Sequence, residues 1–402
     1  MIKSTMKRDW IARVACGISL ALSGCDAEER GQPVGGAPLA GATGGLMGGL
    51  NAGQPNGGEV SGGGEGASNA GSGGGEVGGD PQGGVRDAST ERARLLAECL
   101  SVIELENGTL CAVQPSSLDP ETLDAAPELP DQRGSGFGYH VVAVPHTQSE
   151  PDTSLWVHFG GTYGRPFDRS TGKVASSAWL NELMGAGYAV IQPAYDNKTS
   201  ISFDCGEEPG KSIDNCAGDA REEVLTGQDR STLRDVNQAN SVDHRLASLL
   251  AFVQLHAPSW LPEGLDPANL SWPDIKVSGH SQGGNLSYYI ARRRGVRFAC
   301  MLAAPFDAGD SVNPGRFPIA DWFTEGESLT PVERLAQLVA TEDPYSMAFL
   351  GAGRLIGLVE GEQSFTVSDA PYVNVEGEEV DGHSAPLADP NLASLRAQAC
   401  LR

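Results

Sequence analysis

Glycine accounts for 53 of the 402 residues, well above the usual share of roughly 7%. Residues 31–85 hold 23 of them without a strict Gly-X-Y period, which excludes collagen and marks a stretch too poor in apolar surface to fold. Net charge is −24; four basic residues against Asp9 give residues 1–24 a charge of +3, so the rest carries −27. A surface that acidic repels phosphate backbones, which excludes nucleic acid as a partner.

Residues 1–25 read MIKSTMKRDWIARVACGISLALSGC, with basic residues first, an apolar run from Val14 to Leu22, then small residues. The run is too short to span a bilayer core of roughly 30 Å, so residues 1–24 read as an export signal. Its end, Leu22-Ser23-Gly24-Cys25, resembles the lipobox of bacterial lipoproteins. That resemblance implies acylation of Cys25 and an exported chain anchored in the cell envelope, with the membrane as its partner. Residues 25–87 then form a Gly-rich tether with a root-mean-square reach of roughly 40–45 Å, and residues 88–402 form one folded domain.

Six cysteines lie in that domain: Cys99, Cys111, Cys205, Cys216, Cys300 and Cys400. An even count in an exported domain points to disulfides, for which fifteen connectivities exist. The close pairs Cys99/Cys111 and Cys205/Cys216 are the natural choice, leaving Cys300 to reach Cys400. No C-x-x-C or Cys/His spacing suited to zinc is present, so no metal is expected.

Apolar β-rich runs at Tyr139–Val144, Leu155–Phe159, Tyr188–Gln192, Ile275–Ser278, Arg297–Ala304, Arg334–Ala340 and Tyr372–Val375 read as strands. Helical periodicity appears at Ala175–Met184, at Asp243–His256 and at Gly284–Arg293. The alternation predicts an α/β fold, a mostly parallel sheet with helices on both faces. Ligand sites in such sheets lie beyond the carboxyl ends of the strands.

Directly after Ile275–Ser278 comes Gly279-His280-Ser281-Gln282-Gly283-Gly284, then a helix. This is G-x-S-x-G in the strand-turn-helix setting of a nucleophile elbow, with Ser281 as the nucleophile. His280 is expected to pack under the turn. In α/β-hydrolases the chain order is Ser, acid, His, and His383 is the only histidine downstream of Ser281. Fifteen carboxylates lie between them. Asp343 follows the strand-like Leu335–Ala340 within Thr341-Glu342-Asp343-Pro344 and takes the role of the acid. Glu360 or Glu362, after an apolar run at Leu355–Val359, is the rival, and Asp307 a lesser choice. Gly160-Gly161-Thr162-Tyr163-Gly164 resembles the superfamily's His-Gly-x oxyanion loop with Gly in place of His. By position, the backbone N–H groups of Thr162 and Gln282 would form the hole.

With these residues, positions 136–390 resemble a serine hydrolase of the α/β-hydrolase superfamily. GHSQGG, the GGT-Y-G loop and TEDP together resemble a group of exported bacterial hydrolases. The resemblance implies cleavage of a small-molecule or lipid ester through an acyl-enzyme, with no metal or organic cofactor. A non-catalytic binding module on the envelope and an acyltransferase using the same triad are the alternatives. Residues 196–237 carry ten carboxylates against five basic residues and read as a solvated surface loop near the site. Phe306–Pro331, with Trp322 and Phe323, would line an acyl pocket or merely pack.

Overall fold

The computed structural model describes residues 88–124, 138–147, 155–308, 319–368 and 370–402. Residues 1–87, which include the expected export signal, Cys25 and the whole of the expected tether, fall outside the described residues.

Among the described residues nine strands form one sheet: β1 Ser101–Glu104, β2 Gly108–Val113, β3 His140–Pro145, β4 Leu155–Phe159, β5 Ala189–Gln192, β6 Lys276–His280, β7 Phe298–Leu302, β8 Leu335–Ala340 and β9 Ser364–Val367. Their order is β1-β2-β3-β5-β4-β6-β7-β8-β9. β5, β4, β6, β7, β8 and β9 run parallel, and β1, β2 and β3 join by antiparallel pairing. The described helices are α1 Ala88–Ala97, α2 Pro115–Leu118, α3 Ser177–Gly185, α4 Ile201–Gly206, α5 Cys216–Thr226, α6 Val242–His256, α7 Gln282–Arg294, α8 Ser346–Leu355, α9 Ala385–Ala388 and α10 Ala393–Cys400. No described helix is long and apolar enough to cross a membrane.

Why these runs are strands follows from where their side chains go. β4 alternates Trp156 toward one face and Val157 toward the other, and both are fully buried because helices cover both sides. Val157, Val277 and Met301 pack with Leu246 and Leu250 of α6 and with Leu286 and Ile290 of α7. Trp156, Cys300 and Leu338 pack with Trp179 and Leu183 of α3 and with Ala399 of α10. Each such Leu or Val stabilises the fold by about 1.5–3 kcal/mol. α6 starts where Ser241 Oγ accepts the His244 N–H at 3.2 Å, and it stops ahead of Pro258, which cannot donate to the ladder.

The α/β expectation agrees with this sheet, and all three cysteine pairs are bonded as the spacing suggested. Three readings need correction. The rival acids Glu360 and Glu362 need a strand at Leu355–Val359, but that run is the end of α8 and a turn, and the strand that follows is β9. Tyr372–Val375 does not join the main sheet; Tyr372–Val373 (β10) pairs only with Glu379–Val380 (β11) in a small hairpin. Residues 196–237 are not a loose acidic loop. They hold α4 and α5, tied by Cys205–Cys216, and buried Glu223 accepts the backbone N–H groups of Ser231 and Val236.

Candidate active site

β6 runs as far as His280, and α7 begins at Gln282, so Ser281 alone makes the turn between them. Its backbone sits at φ +55°, ψ −121°, a region that strains an L-residue by roughly 1–3 kcal/mol. The turn is held by the Ser281 N–H donating to Leu302 O at 2.8 Å. It is tight enough to require glycine on both sides. A Cβ on Gly279 would stand 2.1 Å from the Gly283 carbonyl carbon, and one on Gly283 would stand 2.1 Å from Phe159 O.

Asp343 lies in the turn after β8, His383 just ahead of α9. The loops meet because Gly382 packs on the Asp343 backbone, where a Cβ would stand 2.8 Å from its nitrogen. His383 Nδ1 then lies 2.8 Å from Asp343 Oδ2, and the carboxylate is fully buried. The other carboxylate oxygen accepts the Tyr345 N–H at 2.8 Å. A carboxylate removed from water with both oxygens engaged fixes the imidazole tautomer, with the proton on Nδ1 and the lone pair on Nε2. Rings surround the imidazole: His280 at 5.0 Å, Tyr345 at 5.9 Å and Phe349 at 5.9 Å between centroids. His280 Nε2 donates to the His383 carbonyl at 2.8 Å, so the residue preceding Ser281 braces the His383 loop.

The loop after β4 packs against the elbow. A Cβ on Gly161 would stand 3.3 Å from Ser281 Cβ, and Thr162 Oγ1 donates to Gln282 Oε1 at 3.3 Å. Among the described residues neither Thr162 N–H nor Gln282 N–H enters a backbone hydrogen bond. For Gln282 this is the ordinary condition of a helix's first turn, whose earliest internal bond here runs from Asn285 N to Ser281 O. Two residues missed in the sequence hold the loop. Asn197 Nδ2 donates to Gly161 O at 2.6 Å and to Gly164 O at 2.7 Å, and Tyr195 OH donates to Gly160 O at 2.6 Å. Both follow β5 directly, the kind of position where ligand sites gather, and that was the only available signal.

The structure therefore sets Asp343 on His383 and packs the Thr162 loop against Ser281 and Gln282, the two groups being linked by His280, which precedes Ser281 and donates to the His383 carbonyl. Among the described residues none of the rival acids, Glu360, Glu362 or Asp307, hydrogen-bonds to His383. Glu360 and Glu362 are exposed on the turn after α8. Asp307 is buried in an ion pair with Arg221, with Ser202 Oγ and Trp322 Nε1 also donating to it. Trp322 and Phe323 are fully buried against Tyr288, so they pack and do not line a pocket. Cys25 lies outside the described residues. Two imidazoles, the fully buried His158 and the part-buried His280, stay neutral. Desolvation, with the neighbouring His280 second, lowers His158 to about 3. Desolvation, with His383 second, lowers His280 to about 4. Among the described residues no three His, Cys, Asp or Glu side chains are grouped to hold a metal ion.

No family model matches the chain, and no curated protein matches it. Solved structures do. An α/β serine hydrolase without lid from Xanthomonas campestris is 12% identical, covering 74% of this chain and 95% of its own, with a TM-score of 0.32. Esterase B from Lactobacillus rhamnosis, inhibited by a tributyrin phosphonate, is 12% identical over 69% of this chain and 80% of its own, at 0.34. Poly(aspartic acid) hydrolase-1 from Sphingomonas is 12% identical over 69% of this chain and 98% of its own, at 0.33. A mostly parallel sheet ordered β3-β5-β4-β6-β7-β8, with a strained serine turn between β6 and α7, is the α/β-hydrolase fold.

Proposed function

We propose that this chain is an exported serine hydrolase that cleaves carboxylic esters through an acyl-enzyme. The observation that carries the reading is the buried Asp343 carboxylate on His383 Nδ1, beside a serine held at φ +55° between strand and helix. Ser281 Oγ attacks the ester carbonyl while His383 Nε2 takes its proton, and Asp343 stabilises the imidazolium that forms. The oxyanion of the tetrahedral intermediate accepts the N–H groups of Thr162 and Gln282. Collapse expels the alcohol, protonated by His383, and leaves the acyl group on Ser281 Oγ. Water, deprotonated by the same imidazole, then releases the acid.

Export and anchoring belong to the same proposal. Three disulfides fit an oxidising compartment, and Cys25 acylation with the 25–87 tether would hold the domain clear of the membrane. Metabolic labelling of the full chain with a palmitate analogue tests this half: label on wild type and none on Cys25→Ala is the expected result. A fluorophosphonate probe tests the chemical half by intact mass. One adduct on wild type and none on Ser281→Ala is expected; no adduct on a folded domain would favour a non-catalytic binding module.

A further inference from the structure

The side chain of Gln282, a buried residue, lies where three connections meet. Its Oε1 accepts the Thr162 hydroxyl at 3.3 Å and the Ile201 backbone N–H at 3.0 Å. Thr162 follows β4, Ile201 opens α4 in the segment after β5, and Gln282 itself follows β6. One oxygen thus joins the segments beyond three neighbouring strands of the sheet. The Gln282 carbonyl accepts Arg221 Nη1 at 3.4 Å, and Arg221 is ion-paired with Asp307 in the segment after β7. α4 reaches the acid side as well. Its Phe203 ring lies edge-on to Tyr345 at 6.1 Å, and Tyr345 stands 5.9 Å from the His383 ring.

The orientation of the Gln282 amide is fixed. A backbone N–H can only donate, so Ile201 holds Oε1 toward itself and turns Nε2 away. There Nε2 is buried and has no partner among the described residues. A buried amide with one half unsatisfied costs stability. A position that bears this cost while keeping an acceptor in place has the pattern of a site shaped by function.

We propose that the Gln282 side chain is a positioning residue for the oxyanion site. Its Oε1 holds the Thr162 loop and α4 against the elbow, and so sets the spacing of the Thr162 and Gln282 N–H groups. The role rests on the hydrolase reading above. Oε1 takes the Thr162 hydroxyl and not its N–H, which stays available to the oxyanion. The spacing matters most in the tetrahedral intermediate, where the oxygen carries full charge, so its loss falls on kcat more than on KM.

Gln282→Met removes the acceptor at similar length. It exchanges one orphaned group, Nε2, for another, the Ile201 N–H, so Tm should stay within a few degrees of wild type. Thr162→Val, at a half-buried loop position, removes the hydroxyl and keeps the N–H. On p-nitrophenyl butyrate each variant should lower kcat about tenfold or more, with KM changed less than about threefold. Inhibition by a trifluoromethyl ketone, which forms a tetrahedral adduct on serine, should weaken in step with kcat. Thr162→Ser restores the hydroxyl and should stay within about twofold of wild type. The double variant should lie within about twofold of Gln282→Met, because both changes break the same bond. A folded single variant with kcat within twofold of wild type, or losses that multiply in the double variant, overturns the positioning role and leaves the hydrolase reading standing. If Gln282→Met does not fold, Thr162→Val decides alone. A wild type that neither hydrolyses the ester nor takes a fluorophosphonate overturns both.

Discussion

Asp343→Asn separates the proposed triad from a merely structural ion pair. The Asn amide oxygen still accepts the Tyr345 N–H, which the native carboxylate takes at 2.8 Å, so the turn after β8 keeps its fold. The amide nitrogen then faces His383 Nδ1, 2.8 Å from the native Oδ2, and donates to it. That places the imidazole proton on Nε2, where the lone pair for the Ser281 proton is needed. A wrong tautomer of this kind costs about 10⁴ in kcat, equivalent to about 5.5 kcal/mol of barrier. The assay is p-nitrophenyl butyrate hydrolysis beside thermal unfolding of both proteins. A loss of at least 10³ with Tm within a few degrees is expected, and Glu360→Gln and Glu362→Gln should stay within about twofold of wild type. A folded Asp343→Asn variant retaining a tenth of wild-type activity would refute the assignment of the acid.

Asn197→Ala removes two donors from the loop carbonyls at Gly161 and Gly164; kcat should fall about 10- to 100-fold with KM changed less than about threefold, measured on the same ester. An equal rise in KM with kcat intact would place Asn197 in substrate binding instead. Arg221→Met leaves the Asp307 carboxylate buried and unpaired, so urea unfolding should show a loss of about 3–5 kcal/mol. Adding Asp307→Asn should recover at least half of it. His280 is lowered from 6.5 to about 4 by burial, so between those values the unfolded chain binds its proton and the folded one does not. Its contribution is therefore full above pH 6.5 and declines as pH falls toward 4. Stability of wild type relative to His280→Gln should shrink by up to about 3 kcal/mol across that window, and a constant difference would contradict the burial of a neutral imidazole.

Much of this site is legible because its chemistry sits where regular structure ends. GHSQGG ends a strand buried on both faces and opens a helix, and the glycines at 279 and 283 are demanded by backbone contacts that any side chain would break. Asp343 could be proposed because Leu335–Ala340 is apolar apart from Gln337, and β8 is buried along its whole length. The misread segments lack such one-to-one patterns. Ile356-Gly357-Leu358-Val359 is apolar and β-branched, yet it only closes α8 over the core, with Leu358 buried and Val359 exposed. The 196–237 segment looks solvated because its charges are counted one by one. In the fold Arg221 meets Asp307, 86 residues away, and Glu223 caps local backbone. Asn197 carries no local signal beyond its place after β5, and His158 carries none. One acts by reaching back 33–36 residues and the other through Ser278, 120 residues on, so only the assembled sheet reveals them.

The claim that Ser281 forms an acyl-enzyme is tested most directly by acid-quenching the domain with p-nitrophenyl acetate before steady state and mapping the acetyl group by mass spectrometry. One acetyl on the peptide that contains Ser281, released on further incubation and absent from Ser281→Ala, is the predicted result. Ester turnover that persists in Ser281→Ala, or an acetyl group found on another residue, would contradict it.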